Sequence, residues 1–241
     1  MSSGLLFQPV NTPEILWGRK DFSHRHNWGL LSGDQFIHNI VTGNVIDLVS
    51  IPVQDKLPRP MVCSKADQLT LDVAMQEFIA FEIVETCDVL ESDHGFYSNI
   101  FPVIKKDGSA RVILNLKELN YLIAFSHFKM DTIKDVLHLI FPNRYFMTVD
   151  FKHAYYSMPV VPEQRKWLRF VWKNDHYQFT SLPQGLTSAP RLFTKLLKPA
   201  LTHLRKLGIL VSCYIDDCIL LQLLRRSCYA MLLMLYTFFI L

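Results

Sequence analysis

The sequence predicts an α+β fold, in which helices and antiparallel strands are mixed along one chain. Three observations predict it. Short apolar runs such as Tyr145 to Asp150 and Ile209 to Tyr214 have the length and composition of strands. Residues 66 to 86 and 190 to 207 carry helical spacing. Turn signals, Lys106-Asp107-Gly108 and Asn174-Asp175, separate pairs of strand-like runs.

Taken in order, residues 1 to 60 read as an irregular N-terminal extension, because Pro9, Pro13, Pro52, Pro58 and Pro60 break any long element. Residues 66 to 86 read as an amphipathic helix. Leu71, Ala74, Met75, Phe78 and Ile79 share one face, and Asp72, Gln76 and Glu77 turn away. Tyr97 to Ile104 and Arg111 to Leu116 read as a strand pair. Asp131 is placed to cap a short helix through Ile140. Trp167 to Trp172 and His176 to Thr180 read as a hairpin. Pro190 to Leu207 reads as a helix kinked at Pro199 and stopped by Gly208. Two apolar runs, Ile209 to Tyr214 and Cys218 to Leu221, then flank Asp216-Asp217 as the arms of a hairpin would.

Composition sets the class. Of 241 residues, 50% are hydrophobic and 20% charged, which excludes a disordered or fibrous chain and supports a sizeable core. Five cysteines without a Cys-x-x-Cys pair predict a reduced, intracellular protein with no disulfide framework, in cytoplasm or nucleus. Met1 to Asn11 lacks a secretory pattern. The net charge of +3 conceals a split. Residues 1 to 95 carry 6 basic and 13 acidic side chains, while residues 96 to 217 carry 17 and 9. A basic segment suits a polyanion, and it equally suits a solvated surface. Lys195, Lys198, Arg205 and Lys206 pose the same choice on one helix; a solvated face is the simpler reading of those four.

Two carboxylate positions carry the chemical argument. Asp150 closes the apolar run Phe146-Met147-Thr148-Val149, and Asp216-Asp217 lie between two further apolar runs. With those strands side by side, three carboxylates crowd one sheet edge, and bound cations relieve their repulsion. Mg²⁺ suits such oxygens and leaves room for substrate phosphates. Alone, an Asp-Asp pair is most often a turn or a cap. No zinc spacing, phosphate-binding Gly-x4-Gly-Lys loop or Ser-centred nucleophile elbow offers a competing chemistry.

Four blocks, in order, resemble the reverse transcriptases of retroelements. Tyr214-Ile215-Asp216-Asp217 looks like their Tyr-x-Asp-Asp hairpin. Asp150-Phe151-Lys152-His153-Ala154-Tyr155-Tyr156 looks like their first palm motif. Leu182-Pro183-Gln184-Gly185 with Ser188-Ala189-Pro190 and Phe193 resembles the loop and helix that meet template and nucleotide. Pro102 to Gly108, then Arg111 and Leu116 to Asn120, resembles the fingers hairpin. His127-Phe128-Lys129-Met130 and the Phe193 to Pro199 stretch are most similar to DIRS-type, tyrosine-recombinase retrotransposons.

The resemblance implies a right-hand polymerase fold with fingers and an antiparallel palm sheet; the family's thumb would follow residue 221, and none fits in the residues that remain, so the thumb is expected to be missing. It implies RNA-directed DNA polymerase activity on a primed RNA or DNA template, with deoxynucleoside triphosphates as substrates. Two Mg²⁺ ions, or Mn²⁺ in their place, would be held by Asp150, Asp216, Asp217 and the Phe151 carbonyl. Tyr155 would lie beneath the incoming sugar and exclude a 2′-OH. Lys105 or Lys106, with Arg111, would hold the triphosphate, and Gln184 would support the template-side base pair. Tyr156 reads as core, and His153 as a surface neighbour without a role.

The chain departs from the family pattern at its end. Residues 61 to 221 read as partial fingers and palm, and residues 222 to 241 as an apolar tail foreign to the fold. The abrupt change of composition suggests a frameshift or early stop. Ser227 to Leu241, flanked by Arg225 and Arg226, is short of the ~20 residues that span a bilayer, so a frameshift is preferred to a membrane anchor, which stays the alternative reading of the tail. The competing expectation is a remnant without activity that at most binds nucleic acid.

Overall fold

The computed structural model describes residues 15–16, 25–59, 63–88, 94–104, 110–141 and 145–222. Lys105, Lys106, the turn through Gly108 and the tail from residue 223 lie outside the described residues.

The chain begins with a two-residue strand, β1 (Ile15–Leu16), and two helices, α1 (Arg25–Leu31) and α2 (Gln35–Thr42). These helices correct the reading of residues 1 to 60 as irregular. The prolines that break elements flank this stretch rather than interrupt it, and Asp34 caps α2 by accepting from the Phe36 N–H at 2.9 Å. Ile37, Ile40 and Val41 of α2 and Trp28 of α1 are buried in the common core. Asn44 fastens this segment down: its side-chain amide donates to the Ile40 and Pro159 carbonyls at 3.0 and 3.1 Å.

The helix expected over 66–86 is α3 (Lys65–Ala80), opened by a capping box between Ser64 and Asp67. Leu71, Met75 and Phe78 form its buried stripe, while Ile79 is 50% exposed. The helix stops six residues short of the expected end. Glu82 adopts φ 53°, and the chain turns into strand β2 (Val84–Thr86), paired antiparallel with a later strand. A cross-strand ladder outcompeted continued helical periodicity there. Strands β3 (Ile100–Ile104) and β4 (Ala110–Leu114) pair antiparallel as expected. After the short helix α4 (Lys117–Asn120), helix α5 (Ile133–Leu139) is capped by Thr132 rather than Asp131. Thr132 and Asp135 form its capping box, which leaves Asp131 to accept from Ser212 Oγ at 2.7 Å and pair with Arg205 at 3.4 Å.

The remaining elements are β5 (Tyr145–Lys152), α6 (Pro162–Arg165), β6 (Arg169–Trp172), β7 (Asp175–Phe179), α7 (Ala189–Lys206), β8 (Leu210–Tyr214) and β9 (Asp217–Gln222). Lys173 and Asn174 link β6 to β7 with φ of 49° and 70°, the conformation of a tight primed hairpin turn. The strands form a sheet ordered β1-β5-β9-β8, a second ordered β2-β7-β6, and the β3–β4 ribbon. Helix α7 lays Leu192, Phe193, Leu196, Leu197, Ala200 and Leu204 into the core, and Pro199 lies inside it.

Cys213 and Cys218 face each other across β8 and β9, with Cα atoms 4.0 Å apart, and are joined as a disulfide. This corrects the expectation of a chain free of disulfides. The hairpin register makes neighbours of two thiols that sequence spacing alone does not mark. Among the described residues, no helix is long and apolar enough to cross a membrane.

Candidate active site

Strand β5 alternates strictly. Met147, Val149 and Phe151 are buried, and Thr148 and Asp150 are exposed. Period-two geometry therefore puts Asp150 on the open face of the four-stranded sheet. Asp150 lies directly opposite Asp217 on β9, and Asp217 lies directly opposite Tyr214 on β8. Directly opposed residues project to the same side, so Asp150, Asp217 and Tyr214 form one row across three strands. Ile215 and Asp216 make the two-residue tip between β8 and β9, with Ile215 at φ 56°. The Phe151 N–H donates to the Asp216 carbonyl at 3.0 Å, which ties this tip to β5 beside Asp150.

The three carboxylates expected from sequence thus meet at one end of one sheet. Like charges placed directly across a ladder are unfavourable, and carboxylate and carbonyl oxygens suit a hard divalent cation. In donor chemistry the residues fit Mg²⁺. Their side chains do not converge on one point: among the described residues, no group of three or more His, Cys, Asp and Glu is gathered tightly enough to hold an ion.

Tyr155 stands in the short 3₁₀ turn Ala154–Ser157 that follows β5, entered through His153 at φ 61°. Its ring meets the edge of Phe193 on α7 at 5.9 Å. Burial pushes its phenol well above the usual tyrosine range, and the Asp216 carboxylate pushes it further, while Arg111 pulls it back. Tyr155, Asp216 and Arg111 therefore share one electrostatic neighbourhood. Arg111 is exposed on β4, paired with Val103. Tyr156 is the core residue of the two, 6% exposed and packed on Phe78 and Phe179. Burial also raises its phenol, while the Arg111 guanidinium and the nearby Gln184 backbone pull it down.

Gln184 lies in the loop before α7. Its carbonyl accepts from the Leu114 N–H at 3.1 Å, which docks the loop on the β3–β4 ribbon. Its side-chain oxygen is buried and has no hydrogen-bond partner. Gly185 follows at φ 110°, and a Cβ there would run into the Leu114 carbonyl. The ribbon and the loop thus bring Arg111 and Gln184 toward the sheet end that carries the carboxylates.

Two positions differ from expectation. His153 is not a surface neighbour: its side chain is 15% exposed and hydrogen-bonds Glu77 on α3 at 2.9 Å. It braces the turn that carries Tyr155. Glu77 also lies 3.7 Å from Lys152. Its polar helical position marked it as outward-facing, and only the fold brings β5 to it. Asn120 carried no assigned role, yet it holds the Gln184 loop in place.

Residues 103–236, just over half of the chain, match the family model described as reverse transcriptase (RNA-dependent DNA polymerase). The chain belongs to the reverse transcriptase family. The matched stretch runs into the segment read from sequence as an apolar tail. The Pro-Pol polyprotein of simian foamy virus type 1 is 26% identical over 180 residues, 75% of this chain and 14% of that protein. The crystal structure of the native prototype foamy virus protease-reverse transcriptase superposes with a TM-score of 0.62 at 20% identity. It covers 83% of this chain and 25% of that one. A foamy viral protease-reverse transcriptase in complex with double-stranded DNA gives a TM-score of 0.64 at 18% identity, over 83% of this chain and 32% of that one. The fold is therefore the mixed helix and sheet arrangement of those structures, and the chain spans a minor part of each relative's length.

Proposed function

We propose that this chain forms the fingers and palm of an RNA-directed DNA polymerase that adds deoxynucleotides to a primer 3′ end on an RNA or DNA template. The observation that carries the proposal is the cross-strand pair Asp150 and Asp217, with Asp216 tied between them by the Phe151 N–H. Within this reading the β3–β4 ribbon belongs to the fingers, and the four-stranded sheet to the palm. Asp150, Asp216, Asp217 and the Phe151 carbonyl would hold two Mg²⁺ ions, or Mn²⁺, which when bound activate the 3′-hydroxyl and stabilise the pyrophosphate leaving group.

The chain's own residues supply the rest. Arg111 holds triphosphate oxygens, joined by Lys105 or Lys106 from the neighbouring turn. Tyr155 presents its ring beneath the sugar and excludes a ribonucleotide's 2′-OH. Its phenol, raised by burial and by Asp216, stays neutral into alkali, so it adds no charge beside Asp216 even there. Gln184 supports the template-side base pair; its side-chain oxygen, buried and without a partner among the described residues, turns outward to do so. The His127 to Met130 and Phe193 to Pro199 stretches support a DIRS-type retrotransposon as the source, and an intracellular setting belongs to the same proposal.

Primer extension with Mg²⁺ on a primed RNA template, comparing wild type with Asp216→Asn, tests it. Extension by wild type and loss of at least about a hundredfold in the variant is expected, the scale of removing one preorganised charge-stabilising group. Undiminished extension by the variant overturns the carboxylate assignment. No extension by wild type supports the competing reading of an inactive nucleic-acid binder.

A further inference from the structure

Helix α7 has two faces with opposite duties. Phe193 on its buried face meets the ring of Phe151 at 6.0 Å, and Phe151 lies on the side of the sheet opposite Asp150. The helix therefore covers the back of the sheet that carries the carboxylates. Its outer face presents Arg191, Lys195, Lys198, Thr202 and Lys206, spaced four, three, four and four residues apart, which is one continuous helical stripe. The stripe runs about 22 Å at 1.5 Å per residue.

This stripe forms one wall of a groove of about 600 Å³, and α1 and α2 form the other. Four cations line it against a single carboxylate, Asp34, which is engaged in capping α2. Lys195, Lys198 and Lys206 are exposed, and none forms an ion pair among the described residues. Arg205, by contrast, is drawn off the stripe, donating to the Val211 carbonyl at 2.9 Å and pairing with Asp131. At one end, Phe36 is 39% exposed, and the Arg191 guanidinium lies over one face of its ring, 5.9 Å from the centroid. A row of unneutralised cations beside a partly exposed aromatic ring already faced by an arginine is the chemistry that follows a phosphate backbone and stacks a base. An acidic polypeptide would use the cations and have no use for the ring.

We infer that the α1–α2–α7 groove is a second nucleic-acid site, one that binds single strands on the side of the molecule away from the carboxylates. It does not rest on the proposed polymerase chemistry, because the α7 helix and the sheet separate the two.

Fluorescence anisotropy tests it with short fluorescein-labelled oligo(dT) and oligo(U), unprimed and without divalent metal, over a salt series. The combined variant Lys195→Gln, Lys198→Gln and Lys206→Gln is expected to bind about tenfold more weakly, and its slope of log K against log salt falls by about 2, near 0.7 per lost phosphate contact. A charge-matched control, Lys56→Gln, Lys65→Gln and Lys134→Gln, removes exposed lysines elsewhere and keeps wild-type affinity and slope. Phe36→Ala weakens binding with the salt slope unchanged, as loss of stacking requires. Equal weakening in the control variant, or wild-type binding by the groove variant, overturns the inference. So does polyglutamate that displaces oligo(dT) as effectively as unlabelled oligo(dT) does. Lysine-dependent binding by a chain that fails to extend primers leaves this site standing and removes the polymerase proposal alone.

Discussion

Asn120 clasps the loop at Gly185. Its side-chain amide donates to the Gly185 carbonyl at 2.9 Å, and its side-chain oxygen accepts from the Thr187 N–H at 3.0 Å. One side chain at the end of α4 thereby holds the loop at two points just after Gln184. Removing it as Asn120→Ala loses two hydrogen bonds, each with a net contribution of about 0.5–1.5 kcal/mol. The expected result in urea denaturation is a loss of about 1–3 kcal/mol. If the chain extends primers as proposed, the variant is expected to show a raised KM for the deoxynucleotide, because the loop loosens. A variant with wild-type stability and KM would show that the clasp is dispensable.

Gly185 is the second constraint on that loop. Its φ of 110° lies outside what side-chain-bearing residues adopt, and a Cβ would strike the Leu114 carbonyl. Gly185→Ala therefore displaces the loop from the β3–β4 ribbon. A destabilisation of about 1–3 kcal/mol is expected from the strained backbone alone. Differential scanning calorimetry checks it, and an unchanged Tm would contradict the docking of Gln184 on Leu114.

Phe193 joins the core to the site. It is fully buried, and its ring meets both Phe151 and Tyr155 at their edges. Phe193→Ala is expected to cost about 3–5 kcal/mol, as for other buried aromatic truncations. Phe193→Leu keeps most of the volume and is expected to cost less, while loosening the support of Tyr155. If Tyr155 acts as the sugar platform, the Leu variant incorporates ribonucleotides more readily than wild type. Unchanged discrimination between ribo- and deoxynucleotides in single-nucleotide incorporation would separate Phe193 from that role.

Tyr155 and Tyr156 make a prediction in alkali. Burial is the chief cause that raises both phenols above their ordinary value of 10.0. A phenol raised in the folded state holds its proton more tightly there than in the unfolded chain. The stability this contributes is complete below the unfolded pKa of about 10, and it is lost as pH rises from there toward the folded pKa. Tyrosinate absorbance is expected to show two phenols that ionise only on unfolding, and urea midpoints fall as pH passes above about 10. Titration of every tyrosine near 10 in the folded protein would contradict this.

Legibility varied along the chain for physical reasons. The β5 strand and the β8 and β9 arms were readable because a compact apolar run ending in a carboxylate states its own period and boundary. The helix at α3 was readable in its buried stripe and misread at its end. Whether Phe81 to Thr86 continues as helix or becomes a strand depends on β7, which lies about ninety residues away. Helices α1 and α2 were hidden because neighbouring prolines dominated the local signal, and their burial against α7 is a tertiary event.

The sequence by itself determined the residue types of the site, their order, and the family they resemble, since motif spacing is a property of the chain alone. The fold decided which partners those residues meet. Antiparallel register set Asp150 opposite Asp217 and Cys213 opposite Cys218. The packing of α3 on the turn that follows β5, Phe78 against Tyr156, turned His153 from a surface neighbour into a brace on Glu77. The burial of one face of α7 left the other as a basic groove wall. Each of these is a distance between residues far apart in sequence, and only closure of the chain into one core determines such distances.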